Sequence, residues 1–206
     1  MKLASRLMSP AGFGLVLVLF FLLPFLSVSC DVPGSGTTGA DYTGADLVGD
    51  AKPEWVVPKD VDELLSVPDA PDESSIEDGL AAGVQLLGIA LVVLAAGGMA
   101  AGLLPTLRAR LLGSSVLAAA TLAAAIVTLT VALSNLRTDL LPPVREITDG
   151  DPTLTPDAVV DELLHVEAGF WLVALVSVML VLGNVGALLL HRRAQSSDAT
   201  DSTGGG

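Results

Sequence analysis

The sequence predicts an all-α integral membrane protein, a four-helix bundle with two acidic extracytoplasmic loops. Three observations lead to this fold class. The mean hydropathy of the 206-residue chain is +0.68 and 51% of its residues are apolar, which is high for a soluble domain. The apolar residues form four blocks, each about as long as a helix that crosses the hydrocarbon core of a bilayer. Most Lys and Arg residues lie at one end of these blocks, which indicates a fixed orientation.

The four apolar blocks predict four transmembrane helices. A helix rises about 1.5 Å per residue, so roughly 20 residues match a hydrocarbon core about 30 Å thick. Phe170 and Trp171, at the start of the fourth block, are predicted interface anchors, because aromatic side chains collect where lipid meets water. The predicted membrane helices, the first of which could also serve as a signal segment, are residues 10–29, 79–104, 111–134 and 168–190.

Basic residues set the predicted topology, because short loops rich in Lys and Arg stay on the cytoplasmic side. Both termini are then cytoplasmic, and the segments with most of the 23 acidic residues face outward. The predicted cytoplasmic segments are the N-terminus 1–9, the turn 105–110 and a disordered tail, 191–206, and the outer loops are 30–78 and 135–167, the second containing a helix. The residues that set this topology are Lys2, Arg6, Arg108, Arg110, Arg192 and Arg193.

Cys30 is the only cysteine, which excludes an intramolecular disulfide and a cysteine-based zinc cluster. A basic start, an apolar run and the small residues Ser27 and Ser29 before this cysteine resemble a bacterial lipoprotein signal. The pattern departs from that family three residues before the cysteine, where Ser27 replaces an apolar residue. Three outcomes stay open: an uncleaved helix, cleavage with lipidation of Cys30, and removal of the first block by ordinary signal peptidase.

The apolar blocks contain no Asp, Glu, Lys, Arg or His, which disfavours proton relays and coupled transport. Gln85 and Asn184 are predicted to hydrogen-bond between helices, although they could also line a path through the membrane. Two pairs of glycines spaced four residues apart predict close helix packing, with a dimer face and hence a homo-oligomer as the alternative. These pairs are Gly79 with Gly83, and Gly98 with Gly102.

No pattern indicates a catalytic, cofactor-binding or metal-binding site. The two histidines, His165 and His191, fall on opposite predicted sides of the membrane, and the acidic clusters of the outer loops match no complete calcium loop. A net charge of −13, with few aromatic residues, argues against nucleic-acid binding. The sequence therefore predicts a non-enzymatic protein without a cofactor.

Two motifs suggest a source and a location. The run Leu23-Pro-Phe-Leu-Ser-Val-Ser-Cys30, followed by Tyr42-Thr-Gly44, resembles a group of uncharacterised multi-span membrane proteins of high-GC Gram-positive bacteria. The resemblance covers the first quarter of the chain and the general plan of the loops. It implies a bacterial plasma membrane and no particular activity.

The leading functional hypothesis is an interaction or envelope-organising protein. Its partners would be the lipid bilayer and a membrane or envelope protein that the acidic outer loops bind. Two alternatives remain: a small channel or transport accessory subunit, and a lipidated envelope sensor anchored through Cys30.

Overall fold

The computed structural model describes residues 4–32, 36–49, 54–56, 74–148 and 155–201. These residues are mostly helical, with one small antiparallel sheet. The helices are α1 (Ala4–Leu22), α2 (Gly44–Val48), α3 (Ser74–Gly102), α4 (Leu107–Thr148), α5 (Pro156–Leu163) and α6 (Ala168–Asp201). The strands are β1 (Pro24–Val32), β2 (Gly36–Thr43), β3 (Glu54–Val56) and β4 (Leu164–Val166).

Three helices are long and apolar enough to cross a membrane: α3, α4 and α6. They expose large apolar side chains along much of their length, which suits helices surrounded by acyl chains rather than water. Examples that are more than 60% exposed are Leu86, Val93, Val116, Trp171, Met179 and Leu182. The apolar part of α1, Ser9–Leu22, is shorter than these three spans.

The sheet corrects the all-α prediction for the outer segments. Its strand order is β3-β2-β1-β4, so the two loops that were predicted to be separate contribute to one sheet. β1 pairs along its length with β2, from Val32 opposite Gly36 to Pro24 opposite Thr43. β4 pairs with the other edge of β1.

The first predicted span, 10–29, is wrong at its C-terminal end. α1 ends at Leu22, because Pro24 has no N–H to donate and disfavours the helical conformation for Leu23. From Leu26 the apolar and polar side chains alternate, and the backbone bonds are made to β2 and β4 instead.

Two other boundaries extend further than predicted. α4 passes position 134 and continues to Thr148, with Pro142 and Pro143 on its exposed side. The predicted disordered tail is helical as far as Asp201, and no Gly or Pro between His191 and Asp201 ends the helix. The predicted turn 105–110 is shorter than expected, because α4 begins at Leu107.

The chain divides into two compact units. The helical unit contains Met1–Val18, Leu91–Ala123 and Val173–Gly206. The sheet unit contains Leu19–Ala90 and Ala124–Leu172, and it includes all four described strands.

Buried residues on the long helices recur at alternating steps of three and four residues. This spacing is typical of helices that pack as a left-handed supercoil, and the buried residues are mostly small, so helix backbones can approach closely. The buried series on α3 is Val84, Gly88, Leu91, Ala95, Gly98 and Gly102, and on α4 it is Leu111, Ser114, Ala118, Thr121, Ala125, Thr128 and Ala132.

Candidate functional site

The described sheet has an apolar face and a polar face. On the apolar face Leu26 and Ala40 are almost fully buried. On the polar face, register places Asp41 and His165 on either side of Ser27, and both flanking residues are exposed. The alternation of β1 thus separates a packed surface from one that can meet a partner in water.

Three contacts, two of them between side chains of the polar face, join β1 to the β4 segment. The Ser27 hydroxyl donates to Glu167 Oε1 at 2.6 Å, and the Glu167 backbone N–H donates to the Phe25 carbonyl. Ser29 Oγ lies 3.5 Å from His165 Nδ1. The buried serine hydroxyl and the carboxylate fix the end of β4 against the central strand.

Short joints connect the sheet to two helices. Only Leu23 separates α1 from β1, and only Glu167 separates β4 from α6. The joints pack directly on each other, because a Cβ added at Gly169 would lie 2.9 Å from Leu23 Cβ and would also meet the Pro24 carbonyl. A single residue therefore connects the sheet to each of these two helices.

Aromatic rings reinforce this junction. The ring centroids of Phe20 and Phe25 are 5.1 Å apart, and those of Phe25 and Phe170 are 6.3 Å apart, both edge to face. Phe170, a predicted interface anchor, is therefore buried in the junction. Trp171, the other predicted anchor, is 63% exposed.

Gln85, which was predicted to hydrogen-bond between membrane helices, holds α2 against α3. Gln85 Nε2 donates to the Val48 carbonyl at 3.1 Å, at the C-terminal end of α2. At the other end Thr43 and Asp46 form a capping box, in which each side chain accepts from the backbone N–H of the other. Gln85 therefore orders the segment that follows β2.

A pair of ionic contacts connects α4 with α5. Arg137 Nη2 lies 3.1 Å from Asp157 Oδ1 and 3.5 Å from Asp161 Oδ1. All three side chains are exposed, so the contacts contribute at most about 1 kcal/mol each to stability. They orient α5, which leads directly into β4.

Because of Tyr42, the stability of the sheet unit should depend on pH in the alkaline range. Burial raises the pKa of its phenol above the ordinary value of about 10, and the negative charge of Asp46 raises it further. A raised folded-state pKa means that Tyr42 contributes stability below the unfolded-state pKa, and that this stability is lost as pH rises through the folded-state value.

We therefore expect the sheet unit to lose stability above about pH 10, and Tyr42→Phe to remove that loss. Tyr42 is the only tyrosine, so tyrosinate absorbance during an alkaline titration reports on this residue alone. Equal alkaline destabilisation in the wild type and Tyr42→Phe would contradict the assignment.

The predicted glycine pairs differ in their surroundings. Gly98 lies against the ring of Phe13, and a Cβ added at Gly102 would be 2.8 Å from Pro10 Cγ, so both mark close contacts between α3 and α1. Gly83 is exposed and a Cβ there would meet nothing within 4 Å. The surroundings of Gly79 lie outside the part of the chain whose side chains are described.

Asn184 was also predicted to hydrogen-bond between helices. It is buried, but its Nδ2 has no hydrogen-bond partner among the residues that the structure describes, so the predicted bond between helices is not made by this nitrogen. Three serine hydroxyls share this property, and the sequence did not single them out: Ser9, Ser114 and Ser177.

Cys30 lies within β1, opposite Thr38 of β2. Residues 24–29, immediately before it, contain all the positions at which β1 pairs with β4.

The structure places five of the six predicted topology residues on helices. Arg6 lies in α1, Arg108 and Arg110 lie in the first turn of α4, and Arg192 and Arg193 lie in α6. Lys2 lies outside the described residues.

The described side chains contain no group of three or more His, Cys, Asp or Glu residues that could hold a metal ion. Comparison of the chain with protein-family models, curated proteins and solved structures gives no match. The resemblance to multi-span proteins of high-GC Gram-positive bacteria therefore stays a prediction.

Proposed function

We propose that this protein is a non-enzymatic, multi-pass protein of a bacterial plasma membrane that presents its sheet outside the cell to bind a partner protein or another envelope component. Both termini lie in the cytoplasm. The feature that supports this most is the pair of one-residue joints, Leu23 and Glu167, which tie the sheet to α1 and α6. The short joints and the packing beside them make the sheet a well-ordered surface, which favours a docking role.

The polar face of the sheet is the proposed contact surface. Asp41 and His165 are exposed there, whereas the opposite face is packed. A docking surface needs accessible polar groups on a rigid support, and this face has both.

The spacing of Ser29 and His165 supports a binding role over catalysis. Their Oγ and Nδ1 atoms are 3.5 Å apart on an exposed surface. A serine activated by a histidine normally lies at about 2.6–3.2 Å from it, in a site that excludes water.

The structure also favours retention of the first helix over the two cleavage outcomes. Cleavage before Cys30 would remove residues 24–29, with the positions of Leu26, Ser27 and Val28 that pair with β4. β4 would lose its only partner strand among the described residues. The proposal is that α1 stays in the mature protein, and an intact mass that starts at an acylated Cys30 would rule this out.

Site-specific photo-crosslinking in cells tests the docking role. A crosslinking residue at Asp41 or His165 should give one discrete adduct with another envelope molecule, because these positions lie on the exposed polar face. The matched control is Met179, which is 61% exposed on a membrane-length helix and should give lipid adducts.

Charge reversal at the same face provides the second arm. Asp41→Lys should abolish the adduct formed from position 165 while leaving the abundance of the protein unchanged, because position 41 is exposed. Identical adducts from positions 41, 165 and 179, or none from the sheet positions, would reject the docking role.

A further inference from the structure

The short helix α2 packs between two longer helices of the sheet unit. A Cβ added at Gly44 would collide with the Phe20 carbonyl and ring, near the end of α1. A Cβ added at Gly88 of α3 would lie 2.9 Å from Val48 Cγ2. Leu47, between these two contacts, is 6% exposed. The residues before and after β2 therefore differ in their surroundings, and α2 is in contact with both α1 and α3.

These contacts place α2 on the helix side of the joint between α1 and β1. Pro24, the first residue of β1, pairs with Thr43, the last residue of β2. The next residue, Gly44, meets Phe20, which lies four residues before Pro24 and inside α1. The strand that follows α2 in sequence, β3, pairs with β2 again. Two strands of one sheet thus enclose, in sequence, a helix that lies beside α1.

The level of α2 falls within the apolar stretch of α3. This membrane-length stretch covers Gly83–Gly102. Gln85 donates to the Val48 carbonyl and Gly88 lies against the Val48 side chain. At a rise of about 1.5 Å per residue, these two residues of α3 lie about 3 and 8 Å beyond Gly83. α2 is therefore alongside the first two turns of a stretch that is apolar enough for the hydrocarbon layer.

Large apolar side chains are exposed at the same level. Leu22, at the end of α1, is 72% exposed. On α3, Leu86 follows Gln85 directly and is 68% exposed, and Ile89 follows Gly88 and is 41% exposed. Side chains of this size, exposed beside the residues that α2 contacts, suit acyl chains rather than water.

Polar groups at both ends of α2 have partners within the protein. The Asp46 carboxylate accepts from the backbone N–H and the hydroxyl of Thr43, each at 2.7 Å. At the other end Gln85 donates to the Val48 carbonyl at 3.1 Å, and the Gly49 N–H donates back into α2 at 2.8 Å. Helix ends need such partners where little water is available.

We propose that α2 is a re-entrant segment whose exposed side, at Ala45, contacts lipid acyl chains near the outer border of the hydrocarbon layer. This inference rests on the membrane insertion of the proposed function. The one carboxylate of α2, Asp46, is held in the capping box, which suits a shallow position close to the headgroups. Inserted in this way, α2 attaches the sheet to the lipid independently of the joints at Leu23 and Glu167.

Spin labels on the full chain, reconstituted into vesicles of phosphatidylcholine and phosphatidylglycerol, measure this depth. Each label is attached to a single cysteine in a Cys30→Ser background, since Cys30 is the only cysteine. Power saturation compares collisions with oxygen, which concentrates in the hydrocarbon, and with a nickel chelate, which stays in water. The test position is Ala45, which is exposed on α2 and can therefore accept a label. The controls are Asp41, exposed on the polar face of the sheet, and Met179, exposed on a membrane-length helix.

We expect the ratio of oxygen to nickel collisions at Ala45→Cys to exceed that at Asp41→Cys at least about fivefold and to approach that at Met179→Cys, because water is scarce among acyl chains. Equal ratios at Ala45→Cys and Asp41→Cys, with a high ratio at Met179→Cys, would overturn the insertion of α2 and leave the multi-pass proposal standing. Low ratios at all three positions would overturn both.

A substitution at Gln85 tests what holds α2 at this level. Gln85→Leu removes the side-chain donor to the Val48 carbonyl, which is costly where water is scarce. We expect the label at Ala45→Cys to collide at least about threefold more often with the nickel chelate in this variant. The matched control is Leu86→Ala, at the adjacent exposed position, which should leave these collisions unchanged. No change in Gln85→Leu, or an equal change in Leu86→Ala, would contradict a re-entrant α2 held by Gln85.

Discussion

Replacing Gly98 by leucine should strongly destabilise the helical unit. A Cβ at this position would collide with three ring atoms of Phe13, whose side chain is completely buried. Overpacking normally costs about 1–3 kcal/mol, and a collision with a buried ring puts this variant at or above about 3 kcal/mol. The measurement is the unfolding midpoint in detergent, together with the yield of folded protein.

Gly83→Leu is the control that separates this contact from the general effect of replacing a helical glycine. Gly83 lies on the same helix, but it is exposed and has open space around it. We expect Gly83→Leu to change stability by less than about 1 kcal/mol, with a gain favoured by helix propensity. Equal losses for the two variants would show that the Phe13 contact is not responsible.

A compensating change provides an internal check on the same contact. Phe13→Ala should be destabilising in the wild type, because it leaves a cavity beside Gly98. In the Gly98→Leu background it should instead recover part of the lost stability, since it removes the ring that collides. Simple additivity of the two substitutions would contradict direct packing between these residues.

The long helices could be predicted because each contains a continuous apolar block of membrane-spanning length. The fourth predicted span begins at position 168, where α6 also begins, and the second overlaps most of α3. Length and hydropathy determine such segments almost alone, since a bilayer requires every backbone group to be bonded within the helix.

The sheet could not be predicted in the same way. Residues 10–29 are apolar almost throughout, so the change from helix to strand after Leu22 leaves little periodic signal. The alternation of Leu26 and Val28 with Ser27 and Ser29 is the only local sign. β4 is three residues long, and its partner β1 lies about 140 residues earlier in the chain.

The packing between helices is a second feature that could not be predicted from the sequence. Gly83 and Gly98 belong to pairs with identical spacing, but only Gly98 lies against a neighbouring helix. The difference depends on Phe13, which is distant in sequence. Helices that are apolar on all sides carry no amphipathic pattern to show which face is buried. The burial of Ser114 and Ser177 could therefore not be predicted from the sequence either.

Opposite exposure of the sheet and the α3–α4 turn is the central claim of the proposed topology. Asp41 is exposed on the polar face of the sheet, and Leu103 is exposed in the turn that precedes Arg108 and Arg110. In the proposed topology, arginines beside so short a connection keep it on the cytoplasmic side.

Labelling of intact cells with a membrane-impermeant maleimide measures this directly, using single cysteines in the Cys30→Ser background. Asp41→Cys should be labelled in intact cells, whereas Leu103→Cys should be labelled only after the membrane is permeabilised. Labelling of Leu103→Cys and protection of Asp41→Cys in intact cells would contradict the topology, and recovery of the protein in the soluble fraction without detergent would contradict its membrane insertion.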